Sequence, residues 1–172
     1  MATPRERLVE WLRDAYAAEE QAQTMLSRTA SQNESYPSFR AGLERHGELS
    51  ADQASRLKSC LDDLGEGTSL IKNVTGQLTA LGQTLSGYVV GDEPAKAALA
   101  TATYAHMEAS SYRILVSAAE VAGEPRVAEV CRRLLDEELE FARWLDEQLI
   151  SVTTEYLSRE SSGQRAESAL PG

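Results

Sequence analysis

Cysteine and histidine are scarce in this 172-residue chain, two of each, and basic side chains are outnumbered 17 to 27 by acidic ones. Cys60 and Cys131 lack any C-x-x-C or zinc-finger spacing, which excludes a thiolate framework and a disulfide-stapled fold; they read as buried thiols in a reducing compartment. With a net charge of −10 and a pI near 4.7, no basic patch exists to release counterions from a polyanion. The expected partners therefore include no nucleic acid and no membrane. No apolar run reaches the roughly 20 residues of a membrane span, and Met1 to Arg7 is polar and charged rather than signal-like, so a cytoplasmic location is expected. No nucleophile elbow and no phosphate-cradling Gly-rich loop stands between a strand and a helix, which argues against hydrolase and nucleotide-binding chemistry.

What is present is helical periodicity. With 42% hydrophobic residues the chain can bury one core, and its apolar residues step by three and four in four stretches. The first stripe reads Leu8, Leu12, Ala15, Glu19, Ala22, Leu26, Thr29. The second reads Phe39, Leu43, His46, Ser50, Gln53, Leu57, Cys60, Leu64. The third reads Ala98, Ala102, Ala105, Glu108, Tyr112, Leu115, Ala119, and the fourth Val127, Cys131, Leu134, Glu138, Phe141, Leu145, Leu149, Val152.

Punctuation sets the bounds. Thr3-Pro4 opens the first helix, Ser31 to Pro37 is a polar loop, and Gly65-Glu66-Gly67 stops the second helix after Leu64. A weaker fifth helix is predicted over Leu70 to Leu85, interrupted by Gly76 and Gly82. Glu93-Pro94 opens the third long helix and Gly123-Glu124-Pro125 turns it into the fourth, which is expected to end near Tyr156. The predicted fold class is an all-α four-helix bundle over residues 1–157, with the short extra helix in the crossover between helices two and three and a disordered tail over residues 158–172. A connection of about 29 residues between Leu64 and Pro94 can run the length of a bundle, so helices two and three are expected to be parallel.

Glu19, Glu108 and Glu138 each interrupt an apolar stripe on a different helix, with no Lys or Arg pointing inward beside them. A buried carboxylate without a partner costs several kcal/mol or takes up a proton, so three at one level call for a cation. His46 supplies a nitrogen from the remaining helix. Glu19 and His46 lie at nearly equal sequence distance from a turn at Asn33, as Glu108 and Glu138 do from a turn at Glu124. The expected metal ligands are therefore Glu19, His46, Glu108 and Glu138. Glu137 is the substitute should Glu138 face out, and His106 and Glu48 are reserve ligands nearer the surface. An oxygen and nitrogen set without thiolate favours iron or manganese, one or none per chain, and zinc fits the same donors. The competing reading displaces the helical phase by about 100° and leaves the acids solvated, or protonates them under the hydroxyls of Tyr16 and Tyr112. Trp11, Tyr16, Tyr112, Phe141 and Trp144 are expected to pack.

At these residues the sequence resembles the YciE/YciF-like family of the ferritin-like superfamily, over roughly residues 8–152. Asp14 to Gln21 is similar to a first-helix D-x-Y-x-A-E-x-Q pattern that places a ligand-type glutamate at Glu19. His46, Gln53 and Arg56 keep the second-helix spacing, His106-x-Glu108 with Tyr112 the third-helix run, and Asp136-Glu137-Glu138 the acidic cluster of the fourth. The resemblance implies a stress-associated protein holding metal on core carboxylates, with ferroxidase or peroxide-consuming chemistry. Leu49 and Ala105 stand where the pattern has glutamates, so it implies a reduced or degenerate site with weak activity at most. The alternative function is a non-enzymatic dimeric helical scaffold that has lost its metals. Trp11, Met25, Ile114 and Trp144, read as outward, predict a homodimer.

Overall fold

Proline marks where each helix begins. In the computed structural model, which describes residues 1–67 and 93–168, the elements are α1 (Pro4–Gln32), α2 (Pro37–Asp63), α3 (Pro94–Ala122) and α4 (Pro125–Ser168), and no strand occurs among the described residues. At the first helical position proline has no useful N–H to lose, and its fixed φ already suits the helix. Thr3 completes the start of α1: its hydroxyl accepts from the Glu6 N–H at 3.2 Å while the Glu6 carboxylate accepts from the Thr3 N–H at 2.7 Å, a reciprocal capping box. Gly123, at φ 74°, ends α3 by donating its N–H to the Ala119 and Glu120 carbonyls. A side chain there would be strained, and Pro125 then starts α4 at once.

The predicted all-α four-helix bundle is what the described residues form. Every residue of the four inner stripes is buried except Leu149, which is half-buried. The core is divided into two apolar clusters. One gathers Leu8 to Ala15 of α1, Leu57 to Leu64 at the end of α2, Tyr112 to Ala119 of α3 and Val127 to Leu134 at the start of α4. The other gathers Ala22 to Ala30 of α1, Phe39 and Leu43 of α2, Ala98 to Ala105 of α3 and Phe141 to Val152 of α4. Helix directions follow from this membership. α2 and α3 both run from the second cluster to the first and are parallel, as the sequence predicted, whereas α1 and α4 run the other way. Burial pushes the Cys60 thiol up to about 11 and Cys131 up to about 12, and both cysteines are free.

Three expectations change or pass out of view. The predicted helix over Leu70 to Leu85 lies outside the described residues. α4 continues to Ser168, well beyond Tyr156 and into the segment assigned to a disordered tail. Arg159 supports this extension: it donates to the Ser35 carbonyl at 2.9 Å, pairs with Glu155 and lies 4.8 Å from the Tyr36 ring centroid. The outward set also needs correction. Trp11 and Ile114 are exposed, but Met25 and Trp144 pack on the second cluster. Trp144 stacks with Phe141 at 5.7 Å between centroids and settles over Gly42, where a Cβ would come within 2.1 Å of its ring. Only glycine leaves that notch.

Candidate metal centre

A belt of polar side chains separates the two apolar clusters. Glu19 comes from α1, His46, Ser50 and Gln53 from α2, Glu108 from α3 and Glu138 from α4, and all six are buried. Each glutamate lies one helical step from apolar or aromatic residues above and below it, such as Ala15 and Ala22 around Glu19. Burial of the flanking rows therefore carries the polar row inside with them.

On the α2–α4 side the carboxylates meet nitrogen donors. Glu138 Oε1 faces His46 Nε2 at 3.1 Å and accepts from Gln53 Nε2 at 2.9 Å. Gln53 also donates to Glu137 at 3.1 Å, and Arg56 grips that carboxylate through two N–H groups at 2.9 and 2.5 Å. The His46 ring is fixed by stacking on Phe141, with centroids 3.5 Å apart and planes 9° from parallel.

On the α1–α3 side the donors are phenols. The Tyr112 hydroxyl donates to Glu19 Oε1 at 2.5 Å, and the Tyr104 hydroxyl donates to the Ala18 carbonyl at 2.9 Å. Burial first and the charge of Glu138 second push the Glu19 carboxyl from 4.5 to about 8, against the lowering pull of Tyr112, Ser50 and Arg56. Ser50 lies near enough to favour the charge without closing a hydrogen bond. Glu108 is driven well above the carboxylate range by burial, then by Glu19 and Glu138. Burial and these acids also push both phenols up, so Tyr104 and Tyr112 stay protonated donors.

The four expected ligands thus share one buried belt. Glu137 lies at its rim, half-buried and held by Arg56 and Gln53. His106 is exposed and pairs with Asp146 at 3.1 Å, and Glu48 and Glu140 are exposed as well. Tyr16 donates to Glu20 at the surface rather than to a belt acid. Sequence reasoning left Ser50, Gln53 and Tyr104 out of the site. The first two were on the inner stripe beside His46, and Tyr104 stands four residues before Glu108, on the same helical face.

Whether these residues suit a metal can be judged from their unused atoms. Glu19 Oε2, Glu108 Oε1 and Glu138 Oε2 have no hydrogen-bond partner, nor do Ser50 Oγ and Gln53 Oε1. Buried polar atoms are rarely left in this state. No Lys or Arg is buried among the described residues to neutralise the three acids. The donor chemistry therefore fits a hard cation. The side chains themselves are not drawn around one point: among the described residues no three His, Cys, Asp or Glu groups stand close enough to hold an ion. Glu19 and Glu138 each turn one oxygen to their own hydrogen-bond donor.

Solved structures show the same architecture. A protein from Xanthomonas campestris pv. campestris is 36% identical, with 93% of this chain and 99% of that chain covered and a TM-score of 0.78. The Escherichia coli stress protein YciF is 21% identical over 90% of this chain and 99% of its own, at a TM-score of 0.74. YcfI of Rhodopseudomonas palustris is 22% identical over 84% and 94%, at 0.68. The latter two speak to the fold alone. The pattern of the family described as "Domain of unknown function (DUF892)" matches residues 3–158, and the chain belongs to that family.

Proposed function

We propose that the chain is a ferritin-like, stress-associated metal-binding protein with a reduced site for one iron or manganese ion in the polar belt. The observation that supports this most directly is the set of three buried carboxylate oxygens without partners, one each from Glu19, Glu108 and Glu138, in a core with no buried Lys or Arg among the described residues. These glutamates would supply oxygens and His46 its ring nitrogen, while Tyr112 and Gln53 orient Glu19 and Glu138. The two apolar clusters keep water from the belt on both sides. Iron held there would supply electron exchange with oxygen or peroxide, slowly at most, because Leu49 and Ala105 leave too few carboxylates to neutralise two ions. Self-association as a homodimer accompanies this reading, from the exposed Trp11 and Ile114.

A second reading is favoured by the ungathered ligands: a helical scaffold whose acids stay protonated or hydrogen-bonded and which binds no metal. Elemental analysis of protein purified without chelator separates the two. The metal reading expects close to one iron or manganese per chain, lost in Glu108→Gln, whereas that substitution leaves the apo protein more stable because a buried acid is removed. Metal-free protein whose melting temperature does not respond to added manganese, ferrous iron or zinc would establish the scaffold instead.

A further inference from the structure

Past the belt, α2 and α4 keep facing each other. Gln53 donates to Glu138 at 2.9 Å and Arg56 to Glu137 at 2.5 Å, and beyond them Asp63 pairs with Arg126 at 3.4 Å. Between these contacts lie Cys60 and Cys131. Cys60 stands one heptad beyond Gln53 on α2, and Cys131 one heptad before Glu138 on α4. A heptad is two helical turns, about 10.5 Å at roughly 1.5 Å per residue, and its ends share a face to within about 20°. On antiparallel helices the two steps lead the same way, so they pass from one facing pair to the next and set the thiols opposite each other in the first cluster.

The two thiols differ in access. Cys131 is fully buried, whereas Cys60 lines a pocket of about 400 Å³ together with Arg56, Ser59, Asp63 and Arg126. Ser59 and Arg126 are exposed, so the pocket leads from solvent to one sulfur of the pair. Burial first and Asp63 second push the Cys60 thiol up, while Arg126 pulls it back; Cys131 is pushed up by burial and then by Cys60 itself. Cys60 is therefore the readier of the two to ionise.

We propose that Cys60 and Cys131 form an oxidant-responsive dithiol, closed to a disulfide between α2 and α4 by a hydroperoxide that enters the pocket. Cys60 attacks first: an S–O bond forms, the O–O bond breaks, and the departing oxygen takes the thiol proton and leaves as water or alcohol, with Cys60 left as a sulfenic acid. The Cys131 sulfur then attacks the Cys60 sulfur, the S–O bond breaks, and hydroxide leaves with the Cys131 proton as water. Each sulfur gives up one electron and the peroxide gains both. The product suits its surroundings, since a disulfide carries no charge and needs no hydrogen-bond partner among Leu57, Leu61, Val127 and Leu134. It ties α2 to α4 one heptad from the contact between Gln53 and Glu138. Burial keeps the thiolate scarce at neutral pH, so the pair answers sustained oxidant rather than consuming it rapidly. The proposal needs no metal.

Mass spectrometry of the full chain, reduced, held in chelator and exposed to hydrogen peroxide, tests it. The wild type should lose two hydrogens, yield a peptide linked through Cys60 and Cys131, and remain a single chain, all reversed by dithiothreitol. In Cys131→Ala the reaction should halt at a Cys60 sulfenic acid that dimedone traps. In Cys60→Ala the remaining thiol should survive the same exposure, with circular dichroism to verify that both variants fold. A wild type that keeps both thiols, carries them to sulfinic acid without the cross-link, or links Cys60 between two chains would overturn the proposal. Faster oxidation of Cys131 in Cys60→Ala than of Cys60 in Cys131→Ala would overturn it equally, because the pocket would then not be the route of attack.

Discussion

The two sides of the polar belt are equally buried and unequally furnished. On the α2–α4 side, Glu138 and Glu137 receive a histidine, a glutamine and an arginine. On the α1–α3 side, Glu19 has one phenol, and the nearest other phenol, Tyr104, is occupied by a backbone carbonyl. Burial pushes the Glu19 carboxyl up first, and the Tyr112 hydroxyl opposes it. Glu19 and Glu108 are pushed toward the protonated form, while the carboxylates of the opposite side are met by nitrogen donors. This asymmetry suits a cation that would replace protons on one side and share already-oriented oxygens on the other.

The contrast breaks most visibly with pH. Glu19 sits at about 8 in the folded chain against 4.5 as an ordinary glutamate, so the folded state binds this proton more tightly. The stabilisation is complete below pH 4.5 and is lost as pH rises to about 8, at up to roughly 1.4 kcal/mol per pH unit. Glu108 acts in the same direction. In chelator-treated protein, Glu19→Gln should therefore gain several kcal/mol on the wild type between pH 5 and pH 8, as read from urea unfolding at both values. An unchanged difference between the two pH values would mean that Glu19 titrates as a solvated acid.

Next in size is the donor side. Gln53→Leu keeps the volume but takes a hydrogen bond from Glu138 and another from Glu137. A buried carboxylate deprived of a donor should cost about 2–4 kcal/mol, so this variant should be destabilised at pH 8, where Glu19→Gln is stabilised. Opposite signs from two polar-to-neutral changes in one belt would demonstrate the asymmetry, and equal signs would dissolve it.

Much of this was legible in the sequence because buried helices write their facing into it at every third or fourth residue. The four stripes gave the inward row, the level of Glu19 with His46, and the parallel run of α2 and α3. Features made by contacts between distant residues left no such trace. Trp144 looked outward by phase, and only the absent side chain of Gly42, on another helix, lets it fold over the core. Arg159 holds α4 against the turn at Ser35 and Tyr36, well past the last apolar residue of the stripe. Nor could periodicity say which acids would find donors, since that depends on side-chain reach across the belt.

The smallest expected effect is the most selective. Tyr112→Phe removes one hydroxyl and leaves the ring in its apolar cluster, so the net loss of stability should be only about 1 kcal/mol. Yet that hydroxyl is the closest donor to Glu19 and opposes the upward push of burial and Glu138. Without it the Glu19 midpoint should rise further, and the pH range over which stability drains should extend upward with it. Tyr104→Phe serves as the control, because its hydroxyl donates to the Ala18 carbonyl instead and its loss should leave the Glu19 midpoint nearly unmoved. Carbon-13 NMR of the glutamate side chains reads the midpoint directly. A Glu19 midpoint that stays put or falls in Tyr112→Phe would reduce Tyr112 to a packing residue, and Ser50 and Arg56 of α2 would then be the groups that favour the Glu19 anion.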